Sequence, residues 1–218
     1  MNVVHSWMGY LYEVSEIKHL AAESSLKYPI IGLLERKNEV SNIKLEYLHP
    51  YFEYKRIDFY WEVGCVKNYM EMKYIRDSKV DVQKILNDVF RLALLKDENI
   101  NKYFLVCGRV EDFQKYFQKN SGNEKSIEEV EGKIKILQSK DEKYNIFDSF
   151  FSFDVDSNTK IVEQHEESSG YFKTFKDEYA SRCHSDYSIP NEIIITTKLV
   201  QPIDKGLRSA VAIWKIIS

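Results

Sequence analysis

The sequence predicts an α/β fold with an α+β elaboration toward its C-terminal end. Three consecutive features carry this. The aromatic runs "RIDFYWEV" and "KNYMEMKYI" flank the turn-forming "GCVKN". The stretch "KVDVQKILNDVFRLALLKDEN" then places Val82, Ile85, Leu86, Val89, Leu92 and Ala93 at helical spacing. Finally "KYFLVCG" is apolar without alternation and closes on Gly108. A hairpin, a one-sided helix and a strand apolar on both faces, in that order, lay a helix over a sheet.

The elements follow in order. Val3, Trp7, Tyr10, Val14, Ile17 and Ala21 recur at three- and four-residue spacing, which predicts an amphipathic helix from Val3 to about Ser25. Pro29 opens "PIIGLLERK", a short apolar run that reads as a strand, and "IKLEYL" reads as another before His49-Pro50 breaks it. The hairpin follows, with Gly64 and Asn68 supplying its turn. Beyond residue 108, "VEDFQKYFQKN" reads as helical, residues 120–144 as a charged excursion and "NIFDSFFSFDVD" as a strand pair. A helix around Tyr171 to Arg182 and two strands, "EIIITTKLV" and "SAVAIWKII", extend the sheet. With 218 residues, 44% of them hydrophobic and 14% aromatic, the chain has material for one well-filled core. A single domain over 1–218 is expected, with a core in 1–108 and an elaboration in 109–218.

A net charge of −3 argues against a uniformly basic coat for nucleic acid, but the charge is uneven. Residues 55–96 hold nine Lys/Arg against six Asp/Glu, whereas residues 145–178 hold three against eight. No phosphate-binding glycine loop or dinucleotide fingerprint occurs, so kinase, GTPase and dehydrogenase readings have no motif to rest on. Three widely spaced cysteines, Cys65, Cys107 and Cys183, lack disulfide or zinc spacing and point to a reducing compartment. The opening residues lack the basic and apolar pattern of a secretion signal, and no run reaches the ~18 apolar residues of a membrane span. A soluble, cytoplasmic protein is expected.

The hairpin poses the chemical question, because Asp58, Glu71 and Lys73 interrupt runs that belong in a core. A buried charge costs several kcal/mol unless it is paired, hydrated or bound to a metal. Side chains alternate along a strand, so Glu71 and Lys73 share a face, with Met70, Met72 and Tyr74 on the other. Pairing through the short turn brings Asp58 beside Glu71. Two converging carboxylates form a hard-oxygen site for Mg²⁺ or Mn²⁺, and an adjacent lysine positions water or stabilises charge on a phosphate. The Asp/Glu-x-Lys pattern occurs seven times in the chain, and only the copy at Glu71 has a preceding Asp-bearing strand, a following helix and then a buried strand.

Asp on one strand, a turn, Glu-x-Lys on the next, then a helix and a core strand resembles the PD-(D/E)XK nuclease superfamily of restriction endonuclease-like fold. The resemblance covers roughly residues 1–108, and Ile57 stands where the motif's proline would be. It implies a central mixed sheet flanked by helices and Mg²⁺- or Mn²⁺-dependent hydrolysis of nucleic acid, most readily DNA. It further implies that Asp58 and Glu71 hold the metal and that Lys73 orients the attacking water. Members of this superfamily often add a carboxylate from the first helix, for which Glu13 is the candidate, and a polar residue from the helix after Glu-x-Lys, for which Gln83 or Arg91 would serve. A homodimer is the arrangement that would let single-site subunits cut both strands.

Competing readings stand beside these. Exposed hairpin charges could simply pair with one another, at about 0–1 kcal/mol and with no function. The nuclease fold could also persist as a catalytically silent module that binds nucleic acid or a protein. Tyr47, Tyr51, Phe52 and Tyr54, interleaved with Lys55 and Arg56, could stack on bases, although packing at a strand end is the simpler reading. Arg182, Cys183 and His184 lack an orienting partner for nucleophilic chemistry, and "SFDVDSNT" lacks the glycine and terminal glutamate of a calcium loop.

Overall fold

A computed structural model describes residues 4, 6–8, 23–76, 82–112, 127–130, 133–136, 158–162, 174–175, 192–200, 203–204 and 209–218. Helix α1 spans Glu23–Glu35, followed by strands β1 (Val40–Leu48), β2 (Arg56–Val63) and β3 (Val66–Ile75). Helix α2 (Val82–Leu94) leads into β4 (Ile100–Arg109). Strands β5 (Ile127–Val130), β6 (Lys133–Ile136), β7 (Asn158–Val162), β8 (Glu192–Val200), β9 (Ile203–Asp204) and β10 (Ser209–Ile217) complete the described elements.

The fold is α/β, and its main sheet is mixed. Seven strands run in the order β1-β2-β3-β4-β10-β8-β7, and β5-β6-β9 form a separate small sheet. β3 and β4 are parallel, joined by a crossover through α2, while β10 lies antiparallel on the other side of β4. The expected hairpin is β2–β3, paired from Val63↔Val66 to Phe59↔Met70. The runs predicted to extend the sheet are β8 and β10.

Each face of the sheet carries its own apolar layer. On one face, Phe59, Met70, Met72, Tyr74, Leu105 and Cys107 pack against Leu26 and Ile30 of α1. On the other, Tyr69, Ile75, Phe104, Val106 and Trp214 pack against Ile85, Leu86, Val89, Phe90 and Leu92 of α2. Phe52 and Phe175 close over the outer side of α2, with ring centroids 6.0 Å apart and Phe175 5.2 Å from Phe90. This double cover explains why α2 is buried continuously from Ile85 to Leu94.

One expectation is corrected. "PIIGLLERK" is not a strand, because Pro29 lies inside α1. Leu26 and Ile30 stand one turn apart and are both buried, so tertiary packing holds the helix through a residue that lacks an N–H. Residues 4 and 6–8 are helical as expected, and Glu13 lies outside the described residues. Residues 110–112 and 174–175 are also helical, while the remainder of both expected helices and the pair in "NIFDSFFSFDVD" lie outside the description. Within the stretch read as a charged excursion, β5 and β6 pair antiparallel.

No helix among the described residues is long and apolar enough to cross a membrane.

Candidate metal centre

The β2–β3 ladder stops at Phe59↔Met70, although β2 continues to Arg56 alongside β1. The two strands therefore fork at Asp58. A fork leaves N–H groups of β3 without strand partners, and a buried N–H demands an acceptor. Carboxylates supply it. Met72 N donates to Asp58 Oδ2 at 2.8 Å, and Tyr74 N donates to Glu23 Oε2 at 3.4 Å. The backbone thus draws one acid from β2 and one from α1 into the gap.

Glu71 points from β3 toward α2 and is 3% exposed. Its carboxyl lies beside that of Asp58, one residue beyond the last paired position of the β2–β3 ladder. Burial, then the charges of Asp88 and Asp58, push Glu71 well above the usual carboxylate range, and the Arg91 guanidinium opposes them only in part. Glu23 is raised too, first by burial and further by Asp58, against Lys73.

Three cations stand among these acids. Lys27 of α1 lies 2.5 Å from Asp58 Oδ1 and also contacts Glu46 of β1. Lys73 Nζ lies 2.7 Å from Asp88 Oδ2, an ion pair to an oxygen that carries no other hydrogen bond. Arg91 pairs with the other Asp88 oxygen and approaches Glu71 Oε1 at 3.4 Å. Burial alone would lower the Lys73 pKa, but Asp88, Glu23 and Glu71 outweigh it and hold the ammonium above its ordinary range.

Asp58, Glu71 and Lys73 thus meet at the fork. Arg91 joins them through Glu71, while Gln83 donates to Asn87 Oδ1 at 2.7 Å, farther toward the start of α2. Glu23, Lys27, Glu46 and Asp88 were not foreseen. Asp88 did leave a trace in the sequence, since it stands three residues after Ile85 and four before Leu92, on the apolar stripe of α2. Lys27 was hidden by the misread strand at Pro29.

No family model matches the chain, and no curated protein or solved structure matches it. The chemistry of the site therefore rests on its own geometry. Among the described residues no group of three or more His, Cys, Asp or Glu is arranged to hold a metal ion. Asp58 and Glu71 converge as a pair, which suits Mg²⁺, an ion usually bound through one or two carboxylates and several waters. An open depression of about 680 Å³ lies elsewhere, around Leu95, Lys102 and Ile216. There Lys102 Nζ donates to Ala93 O and Leu95 O, the last carbonyls of α2, and so serves as a helix cap.

Proposed function

We propose that the chain is a nuclease of restriction endonuclease-like fold that hydrolyses phosphodiester bonds, most readily in DNA, with Mg²⁺ or Mn²⁺. The observation that carries this reading is the meeting of the Asp58 and Glu71 carboxyls at the strand fork, with the Lys73 ammonium on the same strand. When bound there, the ion would supply Lewis-acid polarisation of the scissile phosphate and an activated water. Asp58 and Glu71 would hold it through their carboxylate oxygens. Lys73, kept charged by Asp88, donates hydrogen bonds throughout and neutralises charge developing on the phosphate; it does not accept the proton of the water. Arg91 steadies the Glu71 carboxyl from α2. Asp88 fixes Lys73 and Arg91 together. Cys65 and Cys107 are both free thiols, which accords with a cytoplasmic setting, and a pair of subunits would serve to cut both strands.

A second reading has its own support. Lys27 and Arg91 already pair with the acids, as in a module that keeps the fold and binds nucleic acid or a protein without cutting.

Thermal unfolding of wild type and Asp58→Asn/Glu71→Gln, with and without Mn²⁺, separates the two. A site filled at about 100 times its dissociation constant adds about 2.7 kcal/mol to the native state. Stabilisation by Mn²⁺ in the wild type alone, together with metal-dependent nicking of plasmid DNA that Lys73→Met abolishes, is the expected result. Binding of DNA without cleavage or metal response would favour the silent module.

A further inference from the structure

Lys27 is clamped by acids from two different strands, Asp58 Oδ1 at 2.5 Å and Glu46 Oε1 in direct contact. The other cations of the site are engaged elsewhere, Lys73 with Asp88 and Arg91 with Asp88 and Glu71. Seating α1 on the sheet does not require the clamp, because Leu26 and Ile30 already bury themselves in the apolar layer. Glu46 itself adopts a left-handed φ of +50°, a costly conformation for a residue with a Cβ, and its side chain ends on Lys27. A strained strand residue thus adds a second acid to an ammonium that Asp58 already holds.

The consequence for Asp58 is that both of its oxygens are engaged. Its Oδ2 accepts from Met72 N, and its Oδ1 is covered by the ammonium. A divalent ion approaching Oδ1 would meet a like charge in contact with the same oxygen, so the two exclude each other. Glu46 offers the lysine somewhere to go: its side chain is 47% exposed, against 11% for Asp58.

We propose that Lys27 is a built-in cation that takes the metal's place on Asp58, so that α1 gates the site and a divalent ion binds only as Lys27 swings outward with Glu46. This inference rests on the metal-site reading above. The cost of releasing Lys27 lowers the apparent affinity for metal by the fraction of molecules in which it is already released.

Calorimetric titration of the full chain with MnCl₂ tests it, using wild type, Lys27→Met, Lys27→Arg and Asp58→Asn/Glu71→Gln. Lys27→Met should bind Mn²⁺ about tenfold tighter than wild type or better, Lys27→Arg should stay near wild type, and the double variant should not bind. Equal or weaker binding by Lys27→Met, with wild type binding and the double variant not, overturns the gate and leaves the metal site standing. No binding by any variant overturns both. Should Lys27→Met fail to fold, acetylation of the wild type by acetic anhydride, mapped by mass spectrometry, gives the same answer. Mn²⁺ should speed modification of Lys27 in wild type and not in the double variant; an unchanged rate at Mn²⁺ concentrations that stabilise the wild type overturns the gate.

Discussion

Lys73 Nζ lies 2.7 Å from Asp88 Oδ2, so the lysine of the hairpin is tied to the helix that follows it. The pair favours the charged form of Lys73 as well as fixing its place, because burial alone would lower the ammonium's pKa. If the chain is the nuclease proposed above, Asp88→Asn should slow its cleavage by about ten- to a hundredfold, the range for partners that orient a site residue. It should also give the pH–rate profile a falling alkaline limb at lower pH than in wild type, as Lys73 deprotonates more easily. Parallel profiles for the two proteins would argue against the pairing.

Glu71 is buried beside Asp88 and Asp58, and burial first, then those charges, pushes its carboxyl well above the usual carboxylate range. An acid whose folded pKa is raised binds more protons folded than unfolded, so its contribution to stability is present below the unfolded pKa of 4.5 and is lost as pH rises toward the folded value. Glu71→Gln mimics the protonated form at every pH. At pH 7 without metal it should raise the urea midpoint, with a gain of about 0.5–2 kcal/mol, and it should abolish metal-dependent cleavage. A destabilised variant would show that Glu71 is ionised and paired with Arg91.

His49 lies at the end of β1, 5% exposed. Its Nδ1 accepts from Tyr51 N at 3.2 Å, which leaves the ring proton on Nε2 to donate to Arg91 O at 3.0 Å. Burial pushes its pKa down to about 4 from 6.5. The unfolded chain then binds the extra proton between those values, so stability is complete above pH 6.5 and falls toward pH 4. The loss approaches about 3 kcal/mol. His49→Gln keeps a donor for Arg91 O and should lose this slope. The difference between wild-type and variant unfolding free energies from pH 4 to 7 isolates it from the other titrating groups.

Gly108 faces Ile75 across the parallel β3–β4 pair. A Cβ at Gly108 would stand 2.6 Å from Ile75 O, a backbone atom that can yield only by parting the strands. Gly108→Ala should cost about 1–3 kcal/mol by overpacking, read from chemical denaturation. An unchanged midpoint would show that the strand ends separate freely.

The hairpin was legible because two aromatic-rich runs flank a turn, and Asp58, Glu71 and Lys73 stood out in their middles among Phe59, Tyr60, Met70, Met72 and Tyr74. α2 and β4 were legible from unbroken apolar patterns of helical and strand type. α1 was not, since Pro29 is locally a breaker and only the burial of Leu26 and Ile30 overrides it. The fork was beyond reach as well. It depends on β2 following β1 in preference to β3, a choice made by tertiary packing, and it alone explains why Glu23 and Asp58 lie in the gap. The small sheet escaped for a similar reason: β6 pairs with β9, whose residues come about seventy positions later in the chain.

β4 pairs on one side with β3 and on the other with β10, residue for residue from Lys102↔Ile216 to Arg109↔Ser209. On a ribosome this means that the hairpin, α2 and β4 emerge about a hundred residues before β10 can cover them. Until then β4 presents a bare apolar edge with its hydrogen-bonding groups open, the form of surface that recruits strands from other chains. A fragment ending near residue 112 would carry Asp58, Glu71, Lys73 and Asp88 and still lack the strand that covers β4. Shortening β10 should therefore send the protein into aggregates before any site chemistry could be measured.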